Sequence, residues 1–198
     1  MIEQKLRPFL QAKLVDGVAK FLADKIKPNT VTILATIVGF ACAVSLFVNS
    51  YLCVALLLFS GYLDILDGSL ARLQKTSSNF GTLLDILSDR LVETFIIIAI
   101  FINQPSVLWV GLSMTMSIAF CMYSFLLVGM FSENSSQKSF YYSPGLIERA
   151  ETFLFFIVMI LLPDTVFYLG VIYTILVSWT TLYRCYEFYL YQQKKEEK

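Results

Sequence analysis

The sequence predicts an all-α integral membrane protein, with six transmembrane helices preceded by an amphipathic interfacial helix. Three observations predict it. Of 198 residues, 57% are hydrophobic and 15% charged, where a soluble domain carries roughly 25% charged residues. Six stretches, residues 30–49, 51–73, 80–102, 106–131, 146–162 and 165–190, approach the roughly 20 mostly apolar residues that a spanning helix needs. The connections between them are mostly short, which predicts one membrane domain over 1–198: a juxtamembrane helix over 1–27, a bundle over 30–190 and a tail over 191–198.

The first element carries Leu6, Phe9, Leu10, Leu14, Val18, Phe21 and Leu22 at spacings of three and four with charges between them, the pattern of an amphipathic helix. It is too charged to span and is expected to lie along the cytoplasmic interface until Pro28-Asn29-Thr30 turns the chain into the bilayer. Packing on protein alone would give the same pattern. If the spans alternate, the far-side turns are Asn49-Ser50, Asn103-Gln104-Pro105 and Pro163-Asp164, none with a Lys or Arg. Lys5, Arg7, Lys13, Lys20, Lys25, Lys27, Lys75, Lys138, Lys194, Lys195 and Lys198 then fall on the other side, which the positive-inside rule makes cytoplasmic. Both termini are therefore expected inside, the tail from Gln192 solvated and frayed. The segment Ser143-Pro144-Gly145 precedes the fifth span, with Ser143 as expected N-cap and Pro144 at the first helical position.

Composition also excludes functions. Lys and Arg total 15, as do Asp and Glu, so the basic footprint of a nucleic-acid binder is missing. There is no histidine, which removes Ser/His/Asp triads, His bases and His-ligated zinc. Cys42, Cys53, Cys121 and Cys185 show no C-x-x-C spacing and read as small packing residues. Any catalysis must run on carboxylates, cations and metals.

Four aspartates stand inside otherwise apolar helices: Asp64 and Asp67 at the end of the second span, Asp85 and Asp89 early in the third. An ionised side chain in a bilayer costs about 2.5 kcal/mol or more, which makes such residues functional candidates. Residues three or four apart share a helix face, so each pair projects together, and the short turn after Leu73 predicts that the two spans are antiparallel neighbours with the pairs facing each other. Hard oxygen donors suit Mg²⁺, Mn²⁺ or Ca²⁺. A two-metal carboxylate site serves in-line displacement at phosphorus.

The run Asp64-x2-Asp67-Gly68-x2-Ala71-Arg72-x8-Gly81-x3-Asp85-x3-Asp89 resembles, at every position, the signature of the CDP-alcohol phosphotransferase (CDP-alcohol phosphatidyltransferase) family, similar to its phosphatidylinositol phosphate and phosphatidylglycerophosphate synthase members. The Pro28-Asn29-x-x-Thr32 start of the first span looks like the same family. The resemblance implies a phospholipid biosynthesis enzyme that transfers a phosphatidyl group from CDP-diacylglycerol to an alcohol and releases CMP. It implies that Asp64, Asp67, Asp85 and Asp89 hold two divalent cations, Mg²⁺ or Mn²⁺, with Asp89 also taking the acceptor's hydroxyl proton. Gly68, Ala71, Arg72, Ser78 and Gly81 would meet the CDP-lipid. Arg72 also reads as a snorkelling anchor and Ser78 as a helix N-cap. A homodimer is implied as well.

The acceptor must be read from the second half, where Lys138, Arg149 and Arg184 are cytoplasmic-side cations. Gly145-x-x-x-Arg149-x-Glu151 is similar to a stretch in members that use inositol phosphate, which makes a phosphorylated polyol such as inositol phosphate or glycerol 3-phosphate the expected acceptor; inositol, serine or another plain alcohol is the alternative. Arg149 also reads as the partner of Glu148, Glu151 or a neighbouring helix, and Arg184 as an interfacial anchor amid Tyr183, Tyr186, Tyr189 and Tyr191. Arg90 and Glu93 read as structural charges, Glu93 pairing with an Arg of another helix or meeting a metal-bound water. A non-enzyme reading, a divalent-cation transporter, finds no second acidic set in the last three spans.

Overall fold

A computed structural model describes residues 15–131 and 147–196, the side chains of 194–196 excepted. Every regular element among the described residues is helical: α1 (Asp16–Leu22), α2 (Pro28–Ser45), α3 (Ser50–Gln74), α4 (Asn79–Ile102), α5 (Leu108–Phe131), α6 (Arg149–Leu161) and α7 (Val166–Glu196). Short 3₁₀ turns at Pro105–Val107 and Pro163–Thr165 lead into α5 and α7.

Local chemistry sets the helix ends. Pro28 starts α2 at a position where its missing N–H is no loss. Asn49 caps α3, its Oδ1 accepting from the N–H groups of Tyr51 at 2.8 Å and Leu52 at 3.1 Å. Lys75 ends α3 in the left-handed region at φ 52°, and the N–H of Thr76 closes the turn on the carbonyl of Ala71 at 3.1 Å. Ser78 then caps α4 by accepting from Gly81 N–H at 3.0 Å.

Both aspartate-bearing helices, α3 and α4, pack on α2, while their own backbones hardly approach each other. This corrects the expected hairpin of direct neighbours. Small residues on α2 explain it. Gly39 lies so close to α4 that a Cβ there would fall 2.5 Å from Val92 Cγ2, and Ser60 of α3 donates to the carbonyl of Ala35 at 2.9 Å. A one-sided wedge thus holds α3 and α4 apart where the carboxylates lie.

The second half of the bundle is built on α5 against α7, with α6 reaching α3, α4 and α7. A Cβ on Gly170 would meet Val110 Cγ1 at 2.5 Å, and one on Gly111 would meet Phe101 at 2.6 Å. Ile96, Ile100, Phe101, Met114, Phe156 and Tyr173 form the buried centre. Outward, Ile37, Phe40, Phe59, Leu112, Phe120, Ile175, Trp179 and Leu182 are exposed, an apolar exterior that water does not tolerate and lipid does. Four segments are long and apolar enough to cross a membrane, Pro28–Ser45, Ser50–Gln74, Pro105–Phe131 and Pro163–Gln193.

The other two expected spans differ in kind. The helix α4 has 24 residues but carries Asp85, Asp89, Arg90 and Glu93. The helix α6 has only 13 residues, about 20 Å of rise. It begins at Arg149, three residues after the expected start, because Glu148 and Glu151 form a capping box there; Ser143 and Pro144 lie outside the described residues. At the other end α7 continues to Glu196, so the expected frayed tail from Gln192 is helical for most of its length.

The expected amphipathic helix is described only from residue 15 onward, and Leu6, Phe9, Leu10 and Leu14 lie outside. Within α1 it is Ala19, preceded by Val15, that is buried, against Leu63, Leu66 and Leu70 of α3, whereas Val18 and Phe21 point outward. Gln74 ties this segment down, donating to the carbonyls of Ala23 at 2.6 Å and Ile26 at 2.8 Å. Of the cysteines, Cys42 and Cys53 are fully buried with sulfurs 3.4 Å apart. Cys185 is exposed, so packing does not account for it.

Candidate functional site

The wedge between α3 and α4 is where the carboxylates converge. Ligand atoms of Asp64, Asp67 and Asp85 lie within 4.8 Å of one another, close enough for one cation to touch all three. Such an all-oxygen donor set fits Mg²⁺ or Mn²⁺. Asp67 is 5% exposed and its Oδ2 accepts from Thr32 Oγ1 of α2 at 2.5 Å. Asp89, one turn beyond Asp85, is not one of this trio and is ion-paired with Arg149. The same Nη1 of Arg149 pairs with Asp64.

Two cavities meet at the trio. The smaller, of about 170 Å³, is lined by Asn29, Thr32, Asp67, Gly68, Ala71, Ser78, Gly81 and Asp85 among others. The larger, of about 330 Å³, is lined by Asp64, Asp85, Asp89, Arg90, Glu93, Glu148, Arg149, Thr152, Tyr173 and Arg184 among others. Asp85 belongs to both walls, with Asp67 on one side of it and Asp64 on the other.

The smaller cavity gathers most residues that the sequence reading gave to a CDP-lipid. Gly68 leaves it open, since a Cβ there would meet only Arg72 Nη1, at 3.6 Å. Gly81 is tighter, with Asn29 Oδ1 and Ser78 Oγ each 3.2 Å from where a Cβ would stand. Ser78 both caps α4 and lines the cavity. Arg72 does neither: it is exposed, outside both walls, and donates from Nη2 to Ser69 Oγ at 3.1 Å.

The larger cavity gathers two of the three expected acceptor cations. Arg149 lies over Phe153, 5.3 Å from the ring centroid, and pairs with carboxylates of two other helices while Glu148 and Glu151 serve the capping box. Of the alternatives expected for Arg149, it is the neighbouring helices that provide its partners. Arg184 is 8% exposed and donates to the carbonyl of Cys121 at 2.8 Å and to Ser124 Oγ at 3.0 Å, so the interfacial-anchor reading fails: its side chain turns into the bundle. The buried Nε atoms of Arg90, Arg149 and Arg184 have no hydrogen-bond partner among the described residues. Lys138 lies outside the described residues. Glu93 pairs with Arg90 of its own helix at 2.7 Å, which corrects the expectation of a partner from another helix.

Sequence reasoning missed Asn29, Thr36, Ser88, Thr152 and Tyr173 as part of this region. Thr36 and Ser88 share a hydrogen bond at 2.5 Å between α2 and α4, and Thr152 and Tyr173 share one at 3.1 Å between α6 and α7. Hydroxyls in apolar helices give no periodic signal.

The family model for CDP-alcohol phosphatidyltransferase matches residues 25–183. The chain is 34% identical over 84 residues to a protein of Aquifex aeolicus called bifunctional IPC transferase and DIPP synthase, covering 42% of this chain and 20% of that one. It is 27% identical over 144 residues to a phosphatidylinositol phosphate synthase of Mycobacteroides abscessus, covering 71% of this chain and 64% of the relative. The matches thus span from about a fifth to less than two thirds of these relatives. Among solved structures, the Mycobacterium tuberculosis phosphatidylinositol phosphate synthase with CDP-DAG bound has the same fold, with a TM-score of 0.75 at 18% identity, covering 89% of this chain and 94% of that one.

Proposed function

The chain belongs to the CDP-alcohol phosphatidyltransferase family, and on that premise we propose that it transfers a phosphatidyl group from CDP-diacylglycerol to a phosphorylated polyol, releasing CMP. The observation that carries this reading is Asp85 standing in the common wall of two cavities, beside the carboxylate trio. One cavity holds the signature glycines and the other the arginines. A donor and an acceptor seated in them would meet at the carboxylates.

In this reading Asp64, Asp67 and Asp85, with Asp89 nearby, hold two divalent cations, Mg²⁺ or Mn²⁺. When bound, such ions neutralise a diphosphate and its leaving group. Gly68, Ala71, Ser78 and Gly81 seat the CDP group, the two glycines by lacking a Cβ, and Arg72 would have to swing from Ser69 to reach a phosphate. Asp89 accepts the acceptor's hydroxyl proton, a role supported by its carboxylate lining the larger cavity. Arg149 and Arg184 bind the acceptor's phosphate through donors that no described residue uses; Lys138 joins them on its sequence position alone.

Inositol phosphate is the acceptor this reading favours, because the curated relatives include a phosphatidylinositol phosphate synthase. The reading further takes α4 and α6 to cross the bilayer as the third and fifth of six spans, with the site and both termini on the cytoplasmic side. The distribution of Lys and Arg supports that orientation. It also takes the whole of 1–198 as one domain and the working form as a homodimer, each protomer holding both cavities within one chain.

The test is CMP release from CDP-diacylglycerol by detergent-purified protein with Mg²⁺, with inositol 1-phosphate, glycerol 3-phosphate, inositol, serine or no acceptor offered in parallel. Release that depends on inositol 1-phosphate is expected. Equal release with free inositol overturns the phosphate-binding role of the arginines, and no release with any acceptor overturns the proposed reaction.

A further inference from the structure

The helix α2 contributes no aspartate, yet its hydroxyls touch both helices that do. Thr32 and Thr36 are four residues apart and share a face. Thr32 Oγ1 lies 2.5 Å from Asp67 Oδ2 on α3 and 3.3 Å from the carbonyl of Pro28. Thr36 Oγ1 lies 3.0 Å from the carbonyl of Thr32 and 2.5 Å from Ser88 Oγ on α4. Each hydroxyl has one proton to give. Asp67 takes that of Thr32; Thr36 and Ser88 share one proton between their hydroxyls, and the carbonyl of Thr32 accepts the other, from Thr36 at 3.0 Å or from Ser88 at 3.5 Å.

Hydrogen bonds thus run from Ser88 and Thr36 through Thr32 to the Asp67 carboxylate. Three of the four members of this chain are buried, with Thr32 4%, Asp67 5% and Ser88 3% exposed, and Thr36 is half-buried. Its two ends lie on helices whose backbones hardly approach each other, and Ser88 sits directly before Asp89 and three residues after Asp85. We propose that Thr32 is a positioning residue that holds one oxygen of Asp67 so that the other faces the carboxylate cluster, and that the Ser88–Thr36–Thr32–Asp67 chain sets the register of α3 against α4. The inference rests on the reading that the cluster holds divalent cations.

Mn²⁺ titration of the full chain in detergent, followed by electron paramagnetic resonance, tests it without reference to turnover. Thr32→Val keeps the shape and removes the donor, and is expected to weaken Mn²⁺ binding about 10- to 100-fold, the usual effect of losing a group that orients a ligand. Thr32→Ser is expected to restore binding to within a few-fold. Ser88→Ala removes the far end of the chain and is expected to weaken binding on the order of two- to tenfold, as for one buried hydrogen bond; it also serves if Thr32→Val does not fold. Wild-type affinity in Thr32→Val, or in Ser88→Ala where Thr32→Val does not fold, overturns the positioning role. Absence of Mn²⁺ binding in the unmodified chain overturns the cation reading itself, and this inference with it.

Discussion

Arg149, the first residue of α6, is ion-paired with Asp89 of α4 and through the same nitrogen with Asp64 of α3. A residue assigned to the acceptor thus neutralises the residue assigned as base, across three helices. Removing the guanidinium leaves two carboxylates facing each other in a half-closed cavity.

Arg149→Ala is accordingly expected to act in two ways. Deleting one partner of a buried ion pair costs about 3–5 kcal/mol, and the side chains here, 17%, 14% and 20% exposed, place the loss toward or below the lower figure. Thermal unfolding in detergent should show a lower midpoint. The apparent KM for a phosphorylated acceptor should rise far more than that for the CDP-lipid. Arg149→Lys should recover most of the stability, since one nitrogen serves both pairs, and less of the acceptor affinity, since an ammonium lacks the planar fork that meets a phosphate.

Asp89→Asn is expected to lower CMP release by 10²- to 10⁴-fold, about what a general base contributes, and to leave binding of the CDP-lipid intact, because Asp89 lines only the larger cavity. Equilibrium binding of labelled CDP-diacylglycerol beside a turnover assay separates the two. Unchanged turnover would show that another group takes the proton.

The carboxylate trio was legible because helical spacing and hydrophobic surroundings are both written in sequence. Asp64, Asp67 and Asp85 converge as the spacing predicts. The route of convergence was not legible: a short turn after Leu73 suggests adjacent helices, whereas packing is decided by Gly39 and Ala35 on α2, whose effect depends on what faces them. Arg184 shows the same limit. A cation among tyrosines near a helix end fits an interfacial belt, and only the neighbouring carbonyl of Cys121 and the hydroxyl of Ser124 turn it inward. Likewise Glu93 found its partner one turn away, at Arg90.

Gly39 should tolerate no side chain while Val92 is present. Its Cβ would fall 2.5 Å and 2.8 Å from the two methyl carbons of Val92, and overpacking of this kind costs about 1–3 kcal/mol. Gly39→Ala is expected to lower the unfolding midpoint and to weaken Mn²⁺ binding, because α2 is the support of both aspartate helices. Adding Val92→Ala should relieve the clash and return part of both. Independent, additive losses in the double variant would contradict the close approach.

The Arg90–Glu93 pair predicts an asymmetry. The Arg90 side chain is 32% exposed and that of Glu93 2%, so a lone Arg90 can turn toward water along its apolar stem, while a lone Glu93 has nowhere to go. Arg90→Met should therefore destabilise the chain more than Glu93→Gln, which keeps a hydrogen-bonding group and adds no charge. Replacing both, as Arg90→Met with Glu93→Leu, removes the pair without stranding a charge, and substitutions of this type are often neutral or stabilising. The expected order of unfolding midpoints puts Arg90→Met lowest and the double variant above it. If the double variant is instead the least stable, the pair supports the wall of the larger cavity, which both residues line, through its charges and not merely through its fit.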